Sequence, residues 1–186
     1  MTSQSPRILV VDEEGDARDA LHTMMTLHYP HVHVVTAACG EAMNYLIDDQ
    51  TGQVVLVISG WDMPSGSGGE LLHFIRQVEG KIIRQGALKV GNTRLPFFDL
   101  IEFPPEYLAY VHHIPVVIVA QADTAVQQRA LRAGANAFLD KPCPPATLLA
   151  AIQSFIPAPP AAGPPSQLRQ SWLQRLRAVA MQFFKT

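Results

Sequence analysis

"VLVISGWDMPSGSGGELL", residues 55–72, decides how the chain is read. An apolar, β-branched run ends abruptly in a polar, glycine-rich loop, and "GELL" then opens a helical pattern. Strand, loop and helix in that order are the unit of a doubly wound sheet, where function collects at the carboxyl ends of the strands. The residue at the mouth of this strand is Gly60, which brings no side chain to any chemistry.

The same rhythm extends in both directions. "RILVV" (7–11), "HVHVV" (31–35), "VVLVI" (54–58), "PVVIVA" (115–120) and "NAFLD" (136–140) read as short strands. Helical patterns follow at 14–27, 40–49, 69–78, 124–133 and 145–156. Five strands alternating with five helices predict a parallel sheet covered on both faces.

Two segments break the rhythm. Residues 79–113 form an insertion, with a basic, glycine-punctuated half ("GKIIRQGALKVGNTR") and an acidic, aromatic half ("LPFFDLIEFPPEYLAYV"). Pro104-Pro105 bars a continuous helix there, and 105–112 can form a short one. So long a connection is a functional feature or a loose one. The second segment is "PAPPAAGPP" (157–165), a stiff extended linker. Beyond it, Leu168, Trp172, Leu176, Val179 and Phe183 recur at helical spacing in 166–186, with Ser166 as the N-cap. This stripe could dock on the chain itself or a dimer mate, on a partner protein, or on a membrane surface.

The 186 residues carry a net charge of −2, unevenly placed. Arg169, Arg175, Arg177 and Lys185 are the charged residues after Ile156, which leaves −6 for the rest. That balance argues against a nucleic-acid binder. No charged-then-apolar leader and no membrane-length apolar run are present, and Cys39 and Cys143 form no CxxC, so a reduced, cytoplasmic protein is expected.

The strand ends bring together Asp12, Glu13 and Glu14; Gly60, Trp61 and Asp62; Ala120 and Gln121; and Asp140 and Lys141. "VDEEGDAR" has neither phosphate-loop spacing. Trp61 is read as a cap over this end or a partner contact, and His28, His31 and His33 as solvated or edge residues rather than metal ligands.

"ILVVDEE", "VLVISGWDMPSGSGGELL", "IPVVIVAQA" and "AGANAFLDKP", in this order, resemble the receiver domain of two-component response regulators, the chemotaxis type above all. The resemblance covers about residues 5–156 apart from the insertion, and it implies a flavodoxin-like (βα)5 fold. It also implies an Mg²⁺ site at an acidic pair, matched by Asp12 and Glu13, and a lysine before a cis proline, matched by Lys141-Pro142. Phe138 matches the aromatic switch position. The phosphoacceptor aspartate, however, is replaced by Gly60, and the hydroxyl residue that follows strand four by Ala120. Two losses in one pocket point to a degenerate receiver. Ser59 lies on the other strand face, and Asp62, two residues into the loop, is the one nearby surrogate acceptor.

With the third acid missing, Mg²⁺ binding is expected to be weak at most, and Lys141 is expected to pair with Asp12 or Glu13. The resulting expectation is a non-enzymatic, phosphorylation-independent adaptor in two-component signalling. It would work through contacts at 124–134, 136–140 and 145–156, the insertion and the tail. The thirty residues after Ile156 are too few for an output domain. Partners would be components of a histidine-kinase pathway or a second copy, with no nucleic acid. A conventional receiver using Asp62, or a scaffold anchored by its C-terminal helix, is the alternative.

Overall fold

The computed structural model describes residues 5–49, 52–63, 66–90 and 93–159. In chain order it comprises β1 (Arg7–Val11), α1 (Gly15–His28), β2 (His33–Ala37), α2 (Cys39–Asp48) and β3 (Val54–Ser59). Then come the two-residue strands β4 (Asp62–Met63) and β5 (Gly66–Ser67), α3 (Gly68–Gln77), β6 (Lys81–Val90), β7 (Thr93–Glu102) and α4 (Pro105–Val111). The chain closes with β8 (Val116–Gln121), α5 (Thr124–Arg132), β9 (Ala137–Lys141) and α6 (Pro145–Ile152).

Five strands pair in parallel in the order β2-β1-β3-β8-β9, the arrangement of a flavodoxin-like α/β sandwich. Alternation along the strands sorts the core into two layers. Leu9, Val11, Val57, Val116 and Ile118 pack beneath α2, α3, α4 and α5. Ile8, Val10, Leu56, Ile58 and Val117 pack with Met25 of α1 and with Leu148 and Ile152 of α6. Because both faces are covered, these strands read as continuous apolar runs, and that is why they were legible.

Helix starts are set locally. Ser67 and Glu70 exchange side-chain to backbone hydrogen bonds at the head of α3 (3.1 and 2.9 Å), and Asp123 caps α5 through the amides of Ala125 and Val126.

Three expectations are corrected. The second strand begins at His33, not His31, because the amide of Val32 closes a turn onto the carbonyl of Tyr29 and the ladder with β1 starts at His33. The last helix ends at Ile152 rather than 156, because the chain then tightens into a turn in which the amide of Phe155 bonds the carbonyl of Ile152. The insertion is not a loop. Its two halves form an antiparallel ribbon, β6 and β7, in register from Lys81↔Glu102 to Val90↔Thr93. The short helix expected at 105–112 is present as α4.

The root of the insertion is firmly held. The guanidinium of Arg76 donates to the carbonyls of His112, Ile114 and Gly134 and to the Asn136 side chain, at 2.9–3.1 Å. Gly134 adopts φ +100°, and a Cβ there would press on the Arg76 side chain, so glycine is required at this turn. Tyr107 and Tyr110 of α4 donate to the carbonyls of Leu46 and Val54. Burial pushes both phenols well above their ordinary value. Residues 160–165 of the expected linker, and the whole expected helix 166–186, lie outside the described residues.

Candidate functional site

The carboxyl ends of β1, β3, β8 and β9 frame a cavity of about 440 Å³ lined by Asp12, Glu13, Gly60, Asp62, Ala120 and Lys141, among others. The topology thus gathers the residues expected of the pocket except Asp140 and Phe138. Phe138 is half-buried against the core layer that holds Trp61, Ala120 and Val126.

Asp12 is the centre of the charge arrangement. Its carboxylate is buried: Oδ2 accepts from Lys141 Nζ at 2.7 Å and Oδ1 from the amide of Glu14 at 3.0 Å. Lys141 precedes a cis bond to Pro142 and is about one-third exposed. Glu13 turns the other way, and its Oε1 accepts from the amide of Cys39, the first residue of α2, at 3.2 Å. A carboxylate at a helix N-terminus is stabilised by the free amides there. Adjacent in sequence, the two acids therefore serve different partners, and Lys141 selects Asp12.

Sequence reasoning missed Arg18. From the first turns of α1 its guanidinium donates to the backbone carbonyls of Asp12 (2.6 Å) and Glu13 (3.0 Å) and fixes the loop that carries both acids. The available signal was a cation placed one turn into the helix that this loop opens.

Gly60 is buried at the end of β3, with its amide bonded to the carbonyl of Val11 at 2.9 Å. A Cβ built on it would meet only Asp12 Oδ2 at 3.5 Å and Met63 at 3.7 Å, ordinary contacts. The backbone therefore does not require glycine at this position. Gly68 differs: a Cβ there would overlap the Gly60 carbonyl, so α3 can approach the strand end only through glycine.

The polar loop is tied down. Asp62 and Met63 pair with Ser67 and Gly66 in a miniature antiparallel turn, which leaves Asp62 exposed. Ser59 Oγ donates to the Gly60 carbonyl at 2.8 Å and is buried. The ring of Trp61 is buried against Gly69, with the Arg129 guanidinium 6.0 Å from its centroid. Trp61 is thus mostly enclosed by the protein's own side chains.

These residues do not suit Mg²⁺, which demands near-octahedral oxygen ligation. Gly60 at the end of β3 offers no side-chain ligand, Asp12 pairs with Lys141, and Glu13 accepts from the amide of Cys39. No cluster of three or more His, Cys, Asp or Glu with metal-binding geometry occurs among the described residues. His31 lies outside β2, and its Nε2 donates to the carbonyl of Pro157 at 2.9 Å, so it shares no strand face with His33. No described helix is long and apolar enough to cross a membrane.

No family model and no curated protein matches the chain. Solved structures do. A response regulator receiver domain protein of Clostridium thermocellum is 20% identical, covers 81% of this chain and 94% of its own, and superposes with a TM-score of 0.57. The chemotaxis protein CheY4 of Vibrio cholerae is 19% identical, over 82% of this chain and all of its own, with a TM-score of 0.56. The receiver domain of a signal transduction histidine kinase from Syntrophus aciditrophicus is 19% identical, over 81% and 89%, at 0.56. The likeness is one of fold.

Proposed function

We propose that this chain is a receiver-type module of two-component signalling that acts through protein contacts and is not switched by phosphorylation. The observation that carries the reading is the Lys141–Asp12 ion pair beside Gly60. Phosphoryl transfer to a receiver needs a carboxylate nucleophile and a cation that shields the incoming charge. In this pocket the nucleophile position carries no side chain, and the acid best placed to hold the cation is already neutralised. Ala120 adds a second deficit, because it offers no hydroxyl to hold a phosphoryl oxygen. Asp62, exposed on the β4–β5 turn, is poorly placed to replace the missing group, since phosphoryl transfer depends on in-line positioning.

The module then has no catalytic turnover and no resident cofactor, and the pocket serves as a latch between β1 and β9. Signal would pass by contact with a component of a histidine-kinase pathway or with a second copy. The ribbon supports a contact role. Ile83, Leu100 and Phe98 share one face by register, and all three are exposed.

Incubation with acetyl phosphate and Mg²⁺, followed by intact-mass measurement before and after mild acid, tests the reading. The protein is expected to remain unmodified, while Gly60→Asp becomes labelled. An acid-labile phosphoryl group on the unaltered chain, lost in Asp62→Asn, would establish the conventional receiver with a displaced acceptor instead.

A further inference from the structure

The sheet's two helical layers are not equally complete. On one side α2, α3, α4 and α5 close over the core. On the other, among the described residues, only α1 and the eight-residue α6 are present, and a groove of about 770 Å³ runs between them. Its walls are almost wholly apolar, with Ala20, Met24 and Leu27 from α1, Cys143 and Leu148 from the α6 side, and Val119 at the floor. Leu27 is 74% exposed, the highest value among the exposed large apolar side chains described. At its upper end the groove reaches Ser59, Gly60 and Lys141.

We propose that this groove holds the chain's own C-terminal segment, residues 166–186, seated through Leu168, Trp172, Leu176, Val179 and Phe183. Three observations select this occupant. The first is where the chain leaves the fold. The carbonyl of Pro157 is bonded to His31, just beyond the last turn of α1, so the segment departs at one end of the groove. The second is reach. The nine residues 157–165 are rich in proline, and nine residues of extended polyproline type would span about 28 Å. The 14 residues of α1 are about 21 Å long, so every point of the groove is accessible. The third is charge. The segment carries Arg169, Arg175, Arg177 and Lys185 and no acid, while α1 presents exposed Asp16 and Asp19, the second of them lining the groove. An apolar stripe flanked by cations thus matches an apolar channel flanked by carboxylates.

Docked there, the segment would complete the thin layer. A free amphipathic stripe of Trp, Phe and Leu would otherwise face water.

Cys143 in the groove wall is a built-in reporter. In full-length Cys39→Ala protein, Cys143 is the sole thiol. Its labelling by a maleimide is expected to be at least tenfold slower than in the same chain carrying Trp172→Asp and Phe183→Asp. The protection should be independent of protein concentration. A second readout works from the opposite wall. In Trp61→Phe protein, Trp172 emission is expected to be blue-shifted and to move red when Met24→Glu is added. Equal labelling rates and an unchanged emission spectrum would overturn the proposal. Protection that fades on dilution would assign the groove to a second copy. A Trp172 shift seen only with anionic vesicles would assign the segment to a membrane surface, and either result also overturns it.

Discussion

At the carboxyl end of the sheet, Asp12, Glu13 and Lys141 direct their charges inward, each onto a partner in the same chain. The β6–β7 ribbon does the opposite. It presents Ile83, Phe98 and Leu100 to solvent, while Arg84 on its other face pairs with Asp48 of α2 and Asp99 of β7. The first region has the frame of a reactive site with its charges satisfied. The second is an addition with apolar surface unsatisfied. Exposed apolar surface of this kind is the sort that protein contacts cover, so the proposed contact role falls on the ribbon rather than on the pocket.

The largest expected effect falls at the root of the ribbon. Arg76→Met would strip the donors from the carbonyls of His112, Ile114 and Gly134, costing about 3–5 kcal/mol, read as a lower urea midpoint. Desolvation by burial lowers the Arg76 pKa. A loss below about 1 kcal/mol would mean that the ribbon's root is not held this way.

Lys141→Ala comes next. It leaves the buried Asp12 carboxylate with the Glu14 amide but no cation, at a cost of about 1–3 kcal/mol, reduced because the lysine is partly exposed. Stability equal to the unaltered chain at neutral pH would break the latch.

Tyr107→Phe is expected to cost about 1–2 kcal/mol through the lost bond to the Leu46 carbonyl. Burial raises the phenols of Tyr107 and Tyr110 above their ordinary value of 10.0. The folded state therefore keeps protons that the unfolded chain gives up. Stability should be complete below about pH 10 and fall as pH rises beyond it, with a shallower fall in Tyr107→Phe. The smallest effect belongs to the ribbon face. Ile83→Ser with Leu100→Ser should change stability by no more than about 0.5 kcal/mol while reducing binding of a hydrophobic dye.

The five core strands were legible because doubly buried strands are apolar without interruption, and the pocket because its residues fall at strand ends. The ribbon was not. A two-stranded ribbon leaning on the core by one face has no clean alternation, and Gly86 and Pro96 interrupt its arms. Gly91-Asn92 between two runs of ten residues was the available hairpin signal, and the charge contrast of the two halves obscured it. In the pocket, the sequence left Lys141 a choice between Asp12 and Glu13. That choice depends on the divergence of consecutive side chains, which sends Glu13 to the head of α2. Arg18 was missed for a related reason, since its partners are backbone carbonyls that no motif encodes.

The proposed latch is a pocket held closed by its own charges, with Gly60 and no carboxylate at the end of β3. Magnesium titration of the unaltered chain against Gly60→Asp tests it most directly, because a Cβ at position 60 meets only ordinary contacts. The substitution should lower stability without metal, by placing a second carboxylate beside Asp12, and should tighten Mg²⁺ binding roughly tenfold or more. Mg²⁺ binding to the unaltered chain as tight as to Gly60→Asp would contradict the account.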